Sequence, residues 1–249
     1  MMRNALRRVM LSLAVLAGLP SAAFAAEVEV FTVDDLVRRM SETLAGAQSF
    51  SVHVEKTFDD VLVTGPKLQY SGAMDIEVRR PDRFYVSYGD DLSAKEAWYN
   101  GKHLVLLDLR AGVYGELPSE ATIDATLDTV AEKYDLRMPL GELFSSDLYQ
   151  TFTDRVDDTM YVGVHDVDGT PAHHVWFDSE TTEIQLWIDS GEVPLPLKLV
   201  VTYVDEPGEP QASYVFSEWD LKADLPDDGF EPEIPQGAAL ASFLPRSGD

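Results

Sequence analysis

Alternation of apolar and polar residues dominates the stretch 183–204 and predicts two paired strands. Ile184, Leu186 and Ile188 alternate with other residues in the two-residue period of a strand that buries one face. The turn that follows contains two prolines, which hold the backbone extended. A second alternating strand then runs over 197–204. An isolated hairpin is only marginally stable in water, so this apolar face predicts a larger, curved sheet.

The same two-residue period recurs along most of the chain. The strongest hairpin signal is Asn100-Gly101 between two apolar runs, and Asp168-Gly169 is a second. Further strands are predicted at 50–58, 68–79, 83–88, 96–100, 102–109, 112–117, 159–167, 170–178 and 211–221. Helical periodicity marks 33–47, 120–134 and 139–144. We therefore predict an α+β, mainly antiparallel fold in which a strongly curved sheet of about 10–11 strands carries about three covering helices.

The amino terminus has the three parts of an export signal. A start with three arginines precedes an apolar core at 9–19 and a small-x-small cleavage motif at 23–25. A membrane anchor is the alternative, but the apolar run is about half of the ~20 residues that a spanning helix needs. We predict a removable signal peptide over 1–25 and a single domain over 26–249. Because the chain has no cysteine to acylate, we expect a soluble periplasmic protein without a lipid anchor.

Composition narrows the possible partners. The chain has 44 acidic and 19 basic residues, and removal of the signal would take away three arginines and leave a net charge of −28. Such a field repels nucleic acid and anionic membrane surfaces. Solubility explains this charge better than an acidic binding patch does. Without cysteine there are no disulfides, so stability must come from core packing alone. We also expect a monomer.

Several short motifs in the second half carry a resemblance to a known family. They are Tyr161-Val162-Gly163, Val167-Asp168-Gly169, His173-His174, the run 185–189 (QLWID), Pro194-Leu195-Pro196, Trp219-Asp220-Leu221 and Phe230 with Pro232. Together they resemble a predicted periplasmic family of unknown function, related to the lipoprotein-carrier superfamily of bacterial envelopes, over roughly residues 30–245. The resemblance implies a half-open barrel, capped by helices, that encloses an apolar cavity for acyl chains. Some members of that superfamily act as sensor or regulatory domains, so fold alone does not decide function.

Residues on the apolar faces of the predicted elements are the candidates for lining such a cavity. Alternation alone does not tell which face of the Trp187 strand looks inward, so residues of both faces are retained. The predicted ligand-binding residues are Met40, Val52, Val54, Met74, Ile76, Phe84, Val86, Trp98, Leu127, Phe144, Leu186, Trp187, Ile188 and Leu199. The alternative is that the helices pack flush and these residues form a closed core.

Other residues with chemical potential have simpler explanations. His165, His173 and His174 are candidate metal ligands, but adjacent residues of a strand point to opposite faces. The segment 166–169 resembles the start of a calcium loop and lacks its closing glutamate. Acid pairs such as Asp90-Asp91 lie in turn-like settings, and there is neither a nucleophile elbow nor a phosphate loop. We predict no metal, no cofactor and no enzymatic activity.

Three functional hypotheses follow. The first is a carrier or chaperone that holds a lipid or an acylated protein without covalent chemistry. The second is an envelope sensor or interaction module that binds a protein partner. A hydrolase is the third and least favoured hypothesis.

Overall fold

The alternating segments pair into one twelve-stranded sheet in the computed structural model, which describes residues 31–154 and 156–246. The predicted signal peptide lies outside the described residues. The strands are β1 Ser49–Val61, β2 Lys67–Arg79, β3 Arg83–Asp90, β4 Ala94–Tyr99, β5 Leu104–Asp108, β6 Val113–Leu117, β7 Asp158–Val167, β8 Thr170–Asp178, β9 Thr182–Asp189, β10 Pro196–Tyr203, β11 Gln211–Asp220 and β12 Ala239–Leu240. Eleven of these strands correspond to predicted ones, and only the two-residue β12 was missed.

Two antiparallel meanders build the sheet and meet at its centre. Strands β1 to β6 run outward in chain order, and β7 to β11 return so that β11 pairs with β1. The resulting order is β12-β6-β5-β4-β3-β2-β1-β11-β10-β9-β8-β7, with a parallel pairing only between β12 and β6. Within the described residues β12 and β7 form the two edges, so the sheet curves without closing. The predicted half-open barrel with few helices is confirmed.

The helices lie where their sequence caps place them. They are α1 Val33–Gly46, α2 Ile123–Tyr134, α3 Leu148–Thr153 and the 3₁₀ segments Gly141–Phe144 and Asp227–Phe230. The Thr32 hydroxyl accepts a bond from the Asp35 amide at 3.1 Å, and the Asp35 carboxylate accepts one from the Thr32 amide at 3.3 Å. This capping box starts α1 two residues after the described chain begins. The Thr122 hydroxyl caps α2 in the same way, accepting from the Ala125 amide at 3.3 Å.

Most of the concave face is solidly packed. The Phe84 ring stacks on Phe144 with centroids 5.3 Å apart and lies 5.5 Å from the Tyr99 ring. Met40 of α1 is completely buried over the same face. The Arg80 guanidinium donates to the Phe144 carbonyl at 2.5 Å, which ties the 3₁₀ segment to the β2–β3 turn. Here the covering helices contact the sheet directly.

A smaller apolar cluster covers part of the convex face. It consists of Trp98, Val105 and Leu107, against which Ile234 of the carboxyl-terminal segment packs. The same segment buries Phe230 completely, with the Arg79 guanidinium 5.1 Å from its ring centroid. The carboxyl-terminal segment therefore wraps around the sheet.

The packed half of the core predicts a large stability difference between two truncations. Because Phe84 is fully buried between two aromatic rings, we expect Phe84→Ala to lower the free energy of unfolding by about 3–5 kcal/mol. Val63 is fully exposed, so Val63→Ala should change it by less than about 0.5 kcal/mol. Urea denaturation followed by far-ultraviolet circular dichroism measures both. Equal midpoints would contradict this account of the core.

Candidate ligand cavity

An apolar cavity of about 460 Å³ lies between the concave face of β2–β6 and helix α2. This volume falls within the range of roughly 300–1,000 Å³ typical of small-molecule sites. The apolar part of its wall is formed mainly by Leu104, Leu106, Leu117, Leu127, Val130 and Met138. The loop 136–139 covers it beside α2, and residues 241–243 close it at the edge of β6.

The strand register explains why this half of the concave face is hollow. One cross-strand row, Phe84, Tyr99, Leu104 and Leu117, is apolar and buried. The next row toward the open end is Val86, Ala97, Leu106 and Gly115. Ala97 has only a methyl group, while the space over Gly115 is taken by the Phe243 ring. The cavity lies where the short Ala97 side chain leaves room beneath α2.

Gly115 also allows the carboxyl-terminal segment to close the edge. A Cβ at this position would lie 2.5 Å from a carbon of the Phe243 ring, so only glycine permits that contact. The Ala241 amide donates to the Tyr114 carbonyl at 2.7 Å, and the Arg246 amide donates to the Lys133 carbonyl at 2.7 Å. The segment 239–246 is thus a strap from β6 to the end of α2.

The start of α2 is fixed to the opposite, deep end of the cavity. The Ile123 amide donates to the Pro81 carbonyl at 2.9 Å, and the Tyr99 hydroxyl donates to the Glu120 carbonyl at 2.7 Å. Thr126 is fully buried and its hydroxyl accepts a bond from the Glu120 amide at 2.9 Å. These bonds hold the helix above the sheet although its apolar stripe does not fill the space below.

A third cross-strand row forms the rim of the cavity. It consists of Tyr88, Lys95, Asp108 and Val113. Exposure increases from the buried Leu104 row to this row, in which Lys95 is exposed and the other three are half-buried. The cavity therefore opens at the rim row, and its polar side chains lie at the opening.

A hydrogen-bond network holds the Tyr88 end of the rim. The Tyr88 hydroxyl donates to the Asp90 carboxylate, and the Lys56 ammonium donates to the Tyr88 oxygen at 3.3 Å. Burial and the bond to Asp90 raise the pKa of Tyr88. Burial lowers the pKa of Lys56, and Asp90 opposes that change. Partial burial would raise the pKa of Asp90, but bonds from Tyr88, Leu92 and Ser93 outweigh it and lower the pKa.

Three of the residues predicted to line a cavity do so: Met74, Val86 and Leu127. Eight others lie in the packed part of the same core: Met40, Val52, Val54, Ile76, Phe84, Phe144, Leu186 and Ile188. Leu199 is half-buried at the margin of that core. Trp98 and Trp187 lie on the convex face, because their neighbours Ala97 and Leu186 take the concave positions. That any of these residues contacts a ligand remains a prediction.

Sequence reasoning missed the Leu104, Leu106 and Leu117 wall. In 104–109 the residues are apolar at almost every position, because Val105 and Leu107 belong to the convex cluster. Alternation therefore did not indicate which face of this strand points into the core.

Trp187 instead belongs to a histidine stack on the convex face. Its ring lies parallel to His174 with centroids 4.0 Å apart. The two Nδ1 atoms of His174 and His165 are 2.9 Å apart, and His174 Nε2 lies 3.1 Å from the Gln185 Oε1. His173 points to the other face, with its Nδ1 3.1 Å from the Tyr161 hydroxyl. No three His, Cys, Asp or Glu side chains converge as a metal site within 31–154 and 156–246.

The chain belongs to a family of predicted periplasmic proteins. Residues 33–244 match the family described as predicted periplasmic protein (DUF2092). The family predicted from the sequence motifs is confirmed. No curated protein matches the chain at a significant level. In the part of the chain described, no helix is both long and apolar enough to cross a bilayer.

Solved structures resemble this fold at low sequence identity. An uncharacterized conserved protein from Thermus thermophilus has a TM-score of 0.51 at 12% identity, over 84% of this chain and 97% of that chain. At that identity the likeness concerns the fold alone. Lipoprotein LppX from Mycobacterium tuberculosis has a TM-score of 0.45 at 12% identity, over 75% and 93%. A LolA-superfamily protein from Nitrosomonas europaea has 0.39 at 11%, over 82% and 99%.

The histidine stack predicts a pH-dependent stability. Burial, followed by repulsion from His165 and Lys198, lowers the pKa of His174 against the opposing Gln185 bond. The unfolded chain then binds more protons, so stability is complete above the ordinary histidine pKa and decreases as the pH falls from about 7 to about 5. His174→Phe keeps a ring on Trp187 and removes this titration. Urea midpoints at several pH values should decrease less steeply in the variant. Burial also lowers the pKa of His173, so part of the slope remains, and identical slopes in the two proteins would contradict the prediction.

Proposed function

We propose that the protein is a periplasmic, non-catalytic binding protein that holds the acyl chain of a lipid or of an acylated protein in the cavity under α2. The observation that supports this most directly is the apolar wall of that cavity. Its side chains offer no hydrogen-bond partner to a polar ligand in the deep part, where Leu104 and Leu117 lie. A hydrocarbon chain is the ligand that such a surface favours. The protein would act as an exported, soluble, non-lipidated monomer.

Burial of apolar surface would supply the binding free energy. Each methylene moved from water to this wall contributes about 0.8 kcal/mol, before the cost of ordering the chain is subtracted. Among the polar residues that line the cavity, Tyr88 donates to the Asp90 carboxylate and Glu96 accepts a bond from the Tyr85 hydroxyl. That arrangement supports binding without covalent chemistry.

Entry would proceed at the rim and not by removal of α1. Helix α1 buries its own Met40 and Val37 side chains completely, so lifting it would expose a large apolar area. The loop 136–139 is half-buried to exposed and covers the cavity next to its opening. A displacement of this loop exposes much less apolar surface and is the cheaper route.

Filling the cavity tests the proposal. Ala97 points into the middle of the hollow, so Ala97→Phe should occupy it and weaken binding of a fluorescent acyl probe at least about tenfold. Ala73→Phe is the matched control, because Ala73 lies half-exposed on the convex face of β2. Probe titration gives the affinities, and circular dichroism shows that both variants are folded. Absence of probe binding by the unaltered protein, or equal binding by Ala97→Phe, would overturn the proposal.

A second candidate function, a protein-interaction module, is favoured by one observation. The edge strand β7 exposes Met160, Tyr161, Val162 and Val164, with exposed fractions of 51%, 42%, 40% and 54%. An edge strand offers unpaired backbone groups that can receive an extended partner segment. Acidic residues flank these positions, since Asp158 and Asp166 lie within β7. They favour a partner with basic ends and disfavour a second copy of this strand.

A synthetic peptide separates this candidate from the carrier. We expect an extended valine-threonine peptide with lysine ends to bind, and the same peptide with glutamate ends not to bind. Val164→Lys should abolish binding of the basic peptide and leave acyl-probe binding unchanged. Fluorescence anisotropy measures the first and probe titration the second. Equal affinities for the two peptides would exclude recognition by β7.

A further inference from the structure

We propose that the ligand of the cavity is an anionic amphiphile, whose carboxylate or phosphate head group is bound at the rim by Lys95 and Arg137. This inference rests on the proposed function, because it assigns the head group of the chain that the cavity would hold. It specifies the polar end of the ligand, which an apolar cavity alone leaves open.

The register of the strands orients the ligand. The deep row of the cavity ends in Leu104 and Leu117, which are 1% and 2% exposed. Further along the strands, the rim row carries Lys95 and Asp108. A ligand with one apolar and one polar end therefore places its chain against the leucines and its head group at the opening, since burial of a charge in the deep end would be unfavourable.

Two cations at this opening have no carboxylate partner among the described residues. Lys95 is exposed on the rim row, and Arg137 is exposed in the covering loop; both border the cavity. Elsewhere in the described chain Arg38, Lys67 and Arg79 each form an ion pair with an aspartate. Neither Lys95 nor Arg137 has an acidic oxygen within 4.0 Å in the ranges 31–154 and 156–246. They can bind an anion without breaking an existing pair.

The acidic groups near the opening are Asp90, Glu96 and Asp108, and each accepts at least one hydrogen bond from the protein; Glu96 accepts from the Tyr85 hydroxyl. Asp90 accepts bonds from Tyr88 and from the backbone amides of Leu92 and Ser93. The Asp108 carboxylate accepts a bond from the Ala111 amide at 2.8 Å. Although Asp108 is opposite Lys95 in the β4–β5 register, the two side chains do not form an ion pair. Lys95 and Arg137 are therefore the charged donors that a ligand at the opening can meet, beside carboxylates that keep their charge.

The net charge of the whole protein and the two cations at the rim predict opposite preferences for the ligand head group. With 44 acidic and 19 basic residues, the protein as a whole attracts cations. If that long-range field determined ligand choice, a cationic amphiphile would bind best. If the rim determines it, an anionic one binds best. The two possibilities make opposite predictions for ligands of the same chain length.

Four amphiphiles with the same chain provide the test. Dodecanoate, dodecyl phosphate, dodecanol and dodecylamine compete with a neutral fluorescent acyl probe, below their micelle concentrations. We expect the two anions to bind more tightly than dodecanol and dodecylamine to bind least tightly. Added salt should reduce the preference for the anions, because the rim is exposed to solvent.

Substitutions at the rim separate the head group from the chain. Lys95→Met and Arg137→Met should each weaken anion binding by about two- to fivefold and leave dodecanol unchanged. The matched control is Lys102→Met, because Lys102 is an exposed lysine in the turn at the opposite end of the β4–β5 hairpin. It should affect none of the four ligands.

The outcomes distinguish the two proposals. If none of the four amphiphiles displaces the probe and the probe itself does not bind, the acyl-binding function is wrong. If dodecanol or dodecylamine binds as tightly as the anions, or if the rim variants weaken dodecanol equally, the head-group inference is wrong and the cavity function stands. Tighter binding of dodecanoate supports a fatty-acid source, and tighter binding of dodecyl phosphate supports a phosphorylated lipid.

Discussion

The volume of side chains available to cover a curved sheet is the constraint on which this molecule depends. A sheet of twelve strands presents a broad concave face, and the described chain offers three short helices and two 3₁₀ segments to cover it. Where Phe144 and Met40 reach the sheet, the interior is dense. Where Ala97 stands opposite α2, it is hollow. The difference between core and cavity is thus a difference of a few side chains in one cross-strand row.

Contacts at the two ends of α2, together with the carboxyl-terminal segment, enclose the cavity. Helix α2 is anchored at the deep end by the Pro81 carbonyl and at the other end by the strap through Arg246. The carboxyl-terminal segment also covers the convex face at Ile234 and buries Phe230. Strands β4 and β5 therefore carry apolar side chains on both faces. The concave face borders the cavity, and the convex face packs against the carboxyl-terminal segment. The opening follows the rim row that contains Lys95, where polar side chains line it.

Much of the fold was predictable from local patterns, because a two-residue period and a capping threonine act within a few residues. The eleven longer strands and the start of α1 follow from such patterns, whereas α2 begins at Ile123 and not at the predicted residue 120. The position of the cavity could not be predicted from such patterns, since it depends on which strands α2 covers and on their register. In the segment around Leu104 and Leu106 the inward face of the strand could not be identified, because Val105 and Leu107 are equally apolar. Trp98 was included by composition, although its strand turns that ring toward the tail.

A crystal structure of the protein with 12-bromododecanoate tests the central claim most directly, because bromine marks the end of the acyl chain by its anomalous signal. The account predicts one strong peak between Leu104 and Leu117 beneath α2, with the carboxylate at the Lys95 end. A peak on another surface, or a hollow closed by side chains with no bromine bound, would contradict it.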